Sequence, residues 1–131
     1  MAKRPGGIAD PHMSTLLILL SVACSSLAHL AFKVGVNHVD AGIAPGSSRL
    51  FVAAIAGNPF VLGGVMLHAA ALGTWLLALR RVDISYAYPF IALGFVLVLG
   101  LSTWFLDERL NAARLLGVAL IMGGVFCVAR S

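Results

Sequence analysis

The residues best suited to binding a charged ligand follow a regular spacing near the start of the chain. Ser21, Ser25, His29 and Lys33 lie four positions apart in a run that is otherwise mostly apolar. Residues at i and i+4 share one face of an α-helix, so these side chains form a slowly drifting stripe. An ionisable residue inside a membrane span indicates a functional site. We therefore expect the stripe to face protein or a cavity, with His29 and Lys33 as candidates for binding an anion.

Each residue type in this stripe also has a structural role open to it. Small hydroxyl residues in lipid are commonly helix-packing contacts, which applies to Ser21 and Ser25. Lys33 lies near the end of the run, where its long stem can extend to the lipid headgroups. A neutral His29 can hydrogen bond to a neighbouring helix. No single residue of the stripe therefore distinguishes a binding site from a packing contact.

The composition indicates an integral membrane protein. Of the 131 residues, 60% are hydrophobic and 11% are charged, whereas about a quarter of residues are charged in soluble domains. The chain has nine Lys and Arg residues and five Asp and Glu residues. Its cationic residues lie mostly in loops and at the ends of apolar runs, which suits contact with anionic lipid rather than nucleic acid. Motifs for metal binding or catalysis are not recognisable, so the sequence predicts no metal, no cofactor and no enzyme.

Four apolar runs account for the predicted fold. They cover residues 15–34, 59–79, 85–106 and 112–129. Each is close to the ~20 residues that cross the hydrocarbon core as a helix. The sequence thus predicts an all-α integral membrane protein with one four-helix domain over residues 13–131. Residues 1–12 are polar and contain Pro and Gly, and we interpret them as an expression leader or a disordered tail.

The connections between the predicted spans differ greatly in length. Residues 35–58 form the longest one, and we predict a loop for its first part, with a turn at residues 45–48. Residues 50–56 are apolar but too short to span, which predicts an interfacial or re-entrant segment or an early start of the second helix. The next connection is very short, so the second and third spans must be antiparallel neighbours. The placement of Lys and Arg leaves the orientation in the membrane open.

The third predicted span combines aromatic and helix-breaking residues. Pro89 lacks a backbone N–H and Gly94 follows it, so we predict a kink in this part of the helix. Tyr88, beside the proline, is a candidate for a cavity wall. In the second span, His68 and Trp75 are seven positions apart and so share a face, which we expect to point into the bundle.

The last predicted span has a face of small residues. Gly117 and Gly124 lie on one side of it, and such residues let helices approach closely in lipid. We predict that this face packs against a helix of the same chain or of a second copy. Asn111 is a natural N-cap for this span, and Asp83 or Ser85 can cap the third.

Several short motifs combine along the chain. They are Ser26-Leu-Ala-His-Leu-Ala-Phe-Lys33, Trp75-Leu-Leu-Ala-Leu79, Val82-Asp-Ile-Ser-Tyr-Ala-Tyr-Pro89, Leu93-Gly-Phe-Val96, Asp107-Glu108, Leu116-Gly117 and Leu120-Ile-Met-Gly-Gly-Val125. Through them the chain from Met13 onward resembles the small multidrug resistance branch of the drug/metabolite transporter (EamA-like) superfamily. Within that branch it looks most similar to the aminoarabinose–phosphoundecaprenol flippase subunits.

This resemblance implies a four-helix protomer that dimerises through its fourth helix, with the first three helices lining the path. Gly117 and Gly124 correspond to the family's packing motif in the fourth helix. Lys33 corresponds to the basic residue at the end of the first helix, and Tyr88 to the aromatic residue of the third. The resemblance also implies a multi-pass protein of the bacterial inner membrane, acting as a homodimer or as a heterodimer with a paralogous subunit.

One departure from the drug exporters bears on the substrate. Their first helix carries a glutamate that binds cations and protons, and the matching position here is Ser25; all four apolar runs lack Asp and Glu. A cation in a low dielectric without a countercharge is strongly destabilised, whereas cationic donors form strong hydrogen bonds to phosphate. We therefore predict a site for an anionic, lipid-linked headgroup, such as a polyprenyl-phosphate sugar that is flipped between leaflets. Its predicted residues are Ser25, His29, Lys33, Trp75 and Tyr88.

Two other functions remain open from the sequence. One is an exporter of small molecules or cations in which His29 or His68 titrates in place of the missing glutamate. The other is a non-transporting subunit that stabilises a partner in a heteromeric membrane complex.

Overall fold

The structure, a computed structural model, describes residues 11–42 and 48–130. Within these ranges every regular element is helical, which confirms the all-α class. The elements are α1 (Pro11–Asp40), α2 (Ser48–Gly57), α3 (Pro59–Leu79), α4 (Ile84–Ala87), a 3-10 turn (Tyr88–Phe90), α5 (Ile91–Leu106) and α6 (Ala112–Arg130).

Three helical segments are long and apolar enough to cross a membrane. They are His12–Asp40, Pro59–Leu79 and Ile84–Leu106, the last of which joins α4, the 3-10 turn and α5. The apolar stretches Ser48–Gly57 and Ala112–Cys127 are shorter. The chain is therefore a multi-pass membrane protein.

Helix α1 extends beyond its predicted bounds at both ends. The expected loop over residues 35–40 is wrong, because the helix continues to Asp40. The reason is tertiary packing. The exposed residues Asn37, His38 and Asp40 are polar and suggest a loop, but Gly35 and Val39 on the other face are buried, and the helix continues. At the other end α1 begins at Pro11, so two residues of the predicted tail are helical, while residues 1–10 lie outside the described part of the chain.

The predicted short apolar segment at residues 50–56 lies within α2, a separate helix with no buried residue. It is not an early start of the second span, because Asn58 interrupts the helix between α2 and α3. The Asn58 Oδ1 atom accepts hydrogen bonds from the N–H groups of Phe60 (2.9 Å) and Val61 (3.4 Å) and so caps α3. The predicted turn at residues 45–48 lies outside the described residues except for Ser48, where α2 begins.

Helix α1 lies at the centre of the bundle. Ser21 contacts Ala71 and Gly35 faces Val61, so α3 packs antiparallel to α1. Helix α5 runs parallel to α1 on another side, since Gly94 lies close to Val22 and, further along both segments, Glu108 lies close to Lys33. Helices α3 and α5 make few direct contacts with each other.

Two glycines permit the close packing of α1 and α3. A Cβ atom at Gly35 would lie 2.6 Å from Val61 Cγ2, and one at Gly64 would lie 2.6 Å from Phe32 Cε1. Both distances are shorter than a normal carbon–carbon contact of about 3.5–4.0 Å. Sequence reasoning missed these glycines, although Gly35 follows Ala31 by four positions and Gly64 precedes Ala71 by seven, spacings at which small residues share one face of a helix.

The predicted caps of the third and last spans have different outcomes. Asp83 occupies the N-cap position of α4, but its side chain makes no capping hydrogen bond, so its predicted side-chain capping role is wrong. The Asp83 backbone carbonyl instead accepts from the N–H groups of Tyr86 and Ala87. Ser85 lies inside α4. The prediction for Asn111 is confirmed, since its Oδ1 atom accepts from the Ala113 N–H at 3.3 Å.

Candidate functional site

A cavity of about 720 Å³ lies between α1, α3 and α5. Residues from the connection before α6 and from the first turns of α6 complete its wall. Its polar lining residues are Ser21, Ser25, Ser26, His29, His68, Glu108 and Arg114, and its larger apolar ones include Leu72, Trp75, Ile91 and Phe95. Helices α3 and α5 make few direct contacts with each other, and Arg114 and Val118 of α6 line the same cavity.

Helix α1 presents three residues of the predicted stripe to this cavity. Ser21, Ser25 and His29 all line it, as their four-residue spacing predicts. The Ser21 hydroxyl also donates a hydrogen bond of 2.7 Å to the Ala71 carbonyl, so this residue joins α1 to α3. Its predicted packing role is therefore confirmed. Ser25 is half-buried and His29 is exposed, so both are accessible from the cavity.

Two histidines from different helices meet in this cavity. The rings of His29 and His68 have centroids 5.5 Å apart, and Phe32 lies next to both, at 6.4 and 6.2 Å. His68 and Trp75 both line the cavity, which confirms that their shared face points into the bundle. The pair places two groups able to donate hydrogen bonds on facing walls.

The fourth residue of the stripe, Lys33, lines a smaller adjoining cavity of about 260 Å³. Its Nζ atom lies 3.9 Å from Glu108 Oε1. Ser26, His29 and Glu108 line both cavities, so the two spaces share a wall. An ion pair this long and this exposed contributes at most about 1 kcal/mol to stability. Lys33 and Glu108 are therefore a pair that a ligand can separate at little cost.

The geometry at the end of α5 brings Glu108 to this position. Asp107 adopts the left-handed conformation, with φ 52°, and the N–H groups of Asp107 and Glu108 both point to the Ser102 carbonyl. This turn ends the helix and directs the chain towards α1 and α6. Arg114 on the first turn of α6 also lines the larger cavity. Sequence reasoning placed neither Glu108 nor Arg114 in the site, and its one signal was the acidic pair after the third span.

Tyr88 lies far from this charged end. It lines neither of the two cavities and instead contacts Trp75, with ring centroids 6.3 Å apart. Helical chain runs for eighteen positions from Tyr88 to Leu106, which corresponds to ~27 Å along the axis, and Glu108 follows two residues later. The structure thus brings Ser25, His29 and Trp75 to one cavity, and places Lys33 and Tyr88 towards its opposite ends.

Pro89 and Gly94 shape the α5 wall. Pro89 lies in the 3-10 turn that links α4 to α5, where its missing N–H removes one helical hydrogen bond. Gly94 lines the cavity, and a Cβ atom there would lie 3.5 Å from Val22 Cγ1. The glycine therefore leaves room between α5 and α1.

This arrangement suits an amphipathic ligand with a charged headgroup. The wall is mainly apolar along its length, and Lys33, Arg114 and the two histidines can donate hydrogen bonds to an anion at one end. In the described part of the chain, no group of three or more His, Cys, Asp or Glu residues is placed to hold a metal ion.

Comparison with known proteins gives relatives by sequence alone. Family models yield no match, and neither do solved structures. The chain is 35% identical to "Probable 4-amino-4-deoxy-L-arabinose-phosphoundecaprenol flippase subunit ArnF" of Sodalis glossinidius, over 84% of this chain and 85% of the relative. It is 34% identical to the flippase subunit of the same organism whose name ends in ArnE, over 88% of this chain and 96% of the relative. The ArnE of Pseudomonas paraeruginosa is 33% identical over 90% and 98%.

Proposed function

We propose that this chain, which belongs to the family of 4-amino-4-deoxy-L-arabinose-phosphoundecaprenol flippase subunits, moves a lipid-linked aminosugar phosphate between the leaflets of a bilayer. It is a transporter subunit rather than an enzyme. The observation that carries the proposal is the 720 Å³ cavity, in which an apolar wall leads to a cluster of charged and imidazole side chains.

A lateral opening between α3 and α5 would suit such a substrate, and the small number of contacts between these helices supports one. Each CH₂ group that leaves an apolar environment for water costs ~0.8 kcal/mol, so a long polyprenyl tail must stay in lipid throughout transport. Only the headgroup needs a protein path. A cavity open towards lipid along one side lets the headgroup move inside while the tail remains outside.

The predicted site residues take different positions along this path. Lys33 and His29 bind the phosphate by charge-assisted or neutral hydrogen bonds, and Ser25 offers a hydroxyl in the middle of the path. Trp75 forms part of the apolar wall, and Tyr88 receives the headgroup near the opposite face. The ~27 Å between the Lys33 and Tyr88 ends is close to the thickness of the hydrocarbon core.

A second subunit completes the proposed transporter, which resides in the bacterial inner membrane. Helix α6 is the fourth span, and it pairs with a paralogous subunit through Gly117 and Gly124. Support comes from the open space at both glycines: apart from neighbouring residues and the backbone of α6 itself, no described atom lies within 4 Å of a Cβ placed at either one. The similar identity to ArnF and ArnE of one organism, 35% and 34%, also favours a paralogous partner.

The test is leaflet accessibility of a labelled polyprenyl-phosphate aminosugar in vesicles. Vesicles contain the purified chain alone or with its co-purified paralogous subunit, and protein-free vesicles give the background rate. We expect crossing above background with the pair. Loss of two hydrogen-bond donors in Lys33→Ala combined with His29→Ala is expected to slow crossing at least tenfold.

The matched control for that variant is Arg49→Ala, which removes a cation from the exposed face of α2, away from both cavities. It is expected to transport like the unchanged protein. Undiminished crossing by the Lys33 and His29 variant would contradict the proposed headgroup site.

A further inference from the structure

Glu108 has a special place among the charged groups of the site. Of the residues that line the two cavities in the described part of the chain, it is the one carboxylate, and it lines both spaces. Lys33, Arg114 and the two histidines supply the groups that can be cationic. Glu108 is also partly exposed, with 37% of its side chain accessible, so a ligand can reach it.

This carboxylate is badly placed for a purely anionic headgroup. A phosphate bound to Lys33 would lie next to Glu108, because the Lys33 Nζ and Glu108 Oε1 atoms are only 3.9 Å apart. The phosphate and the Glu108 carboxylate would then share one cationic partner, so the two like charges repel each other, and the repulsion grows as water is excluded. A headgroup that carries its own cation beside the phosphate removes this conflict.

We infer that Glu108 determines specificity for the amino group of the substrate, an inference that rests on the proposed function. An aliphatic amine is protonated at neutral pH. When the headgroup enters, its phosphate takes Lys33 as partner and its ammonium group takes Glu108. Each protein charge exchanges one partner for another, so no charge is left unpaired as the ion pair opens. A lipid-linked sugar with a hydroxyl group in place of the amine leaves Glu108 facing the phosphate.

The closing experiment compares two lipids in vesicles that contain the chain and its paralogous subunit. One is the polyprenyl-phosphate aminosugar, and the other is the same lipid with a hydroxyl group in place of the amine. The unchanged protein is expected to move the amino lipid at least about tenfold faster, the usual effect of one charged hydrogen bond. In Glu108→Gln the ratio is expected to fall to about one, while Glu108→Asp retains most of it.

Asp107→Asn is the matched control. It neutralises the adjacent carboxylate, and asparagine tolerates the left-handed conformation at that position. Because Asp107 lines neither cavity, this variant is expected to keep the full preference for the amino lipid.

A binding measurement separates recognition from folding. The chain has two tryptophans, and Trp104 is 87% exposed, so Trp104→Phe leaves Trp75 in the cavity wall as the reporter. In this background, Glu108→Gln is expected to raise the half-saturating concentration of the amino lipid about tenfold, whereas that of the hydroxyl lipid is expected to fall because the repulsion between Glu108 and the phosphate is removed.

The outcomes are distinguishable. An unchanged preference in Glu108→Gln overturns the inference, as does equal weakening of both lipids, which would mean a structural role. Equal rates for the two lipids with the unchanged protein would contradict this inference alone. If neither lipid crosses faster than in protein-free vesicles, the proposed function itself fails, and the inference fails with it.

Discussion

Adding one methyl group at Gly35 is expected to separate the two helices that form the back of the cavity. The new Cβ atom would lie 2.6 Å from Val61 Cγ2, about 1 Å inside normal contact. Valine has one strongly preferred rotamer in a helix, so its side chain cannot easily turn away. The Cβ atom would also lie 3.2 Å from the Val61 backbone nitrogen and 3.1 Å from Asn58 Oδ1. Turning Val61 alone therefore does not relieve the clash.

The expected loss of stability follows from these contacts. Overpacking of this kind costs about 1–3 kcal/mol. Displacing Asn58 weakens the N-cap of α3 and its 3.5 Å contact with the Gly35 carbonyl, and loss of an N-cap costs about 1 kcal/mol. Gly73→Ala is the matched control, because a Cβ atom there meets nothing within 4 Å of the described chain. Both variants gain the same helix propensity. The expected difference of about 2–4 kcal/mol between their free energies of unfolding therefore reports only the steric clash and the loss of the N-cap.

The measurement is the free energy of unfolding in mixed micelles, from titration with a denaturing detergent followed by circular dichroism. We expect Gly35→Ala to unfold at a lower denaturant fraction than the unchanged protein, and Gly73→Ala to match or exceed it. Transport by Gly35→Ala is expected to fall as well, because α1 and α3 carry facing walls of the cavity. Equal stability of the two variants would refute the tight α1–α3 contact on which this reasoning depends.

Two further predictions concern assembly and energy coupling. Gly124→Leu is expected to abolish crosslinking to the paralogous subunit without changing protomer stability. Gly100→Leu, at an equally open position on α5, is expected to leave crosslinking intact. An equal loss of crosslinking in both variants would refute the assignment of α6 to the subunit interface. An imposed pH gradient is expected to leave the transport rate unchanged, because the four predicted spans contain no Asp or Glu. Accumulation of substrate driven by the gradient would contradict this prediction.

Parts of the fold could be predicted where local chemistry and tertiary packing agree. Helix α3 begins at Pro59 after the Asn58 cap and ends before Arg80 and Arg81, and each of these signals is visible in the sequence. The end of α1 is different, because its exposed polar residues suggest a loop. The helix continues there since Val39 is buried, and that burial depends on contacts with other helices that no local pattern contains.

The candidate site, too, could be predicted from the sequence only in part. The spacing of Ser25 and His29 was enough to place them on one cavity wall, because both belong to a single helix. Glu108 and Arg114 enter the site through the left-handed turn at Asp107 and the direction in which α6 leaves it. A non-glycine residue in that conformation is uncommon, so the sequence offered no reason to expect the turn.

The position of the carboxylate bears on the difference that the sequence predicts between this chain and the drug exporters it resembles. By the resemblance drawn from the sequence, Ser25 corresponds to their glutamate; in the structure it lies half-buried in the cavity wall, where an unpaired charge is costly. Glu108 instead lies at the end of α5, partly exposed and already paired with Lys33. A carboxylate in the middle of the path must be neutralised by a proton or a cation, whereas one at the end only has to exchange partners. Under the proposed function, the described residues that line the two cavities include no second carboxylate, so a zwitterionic headgroup can pass without a compensating ion.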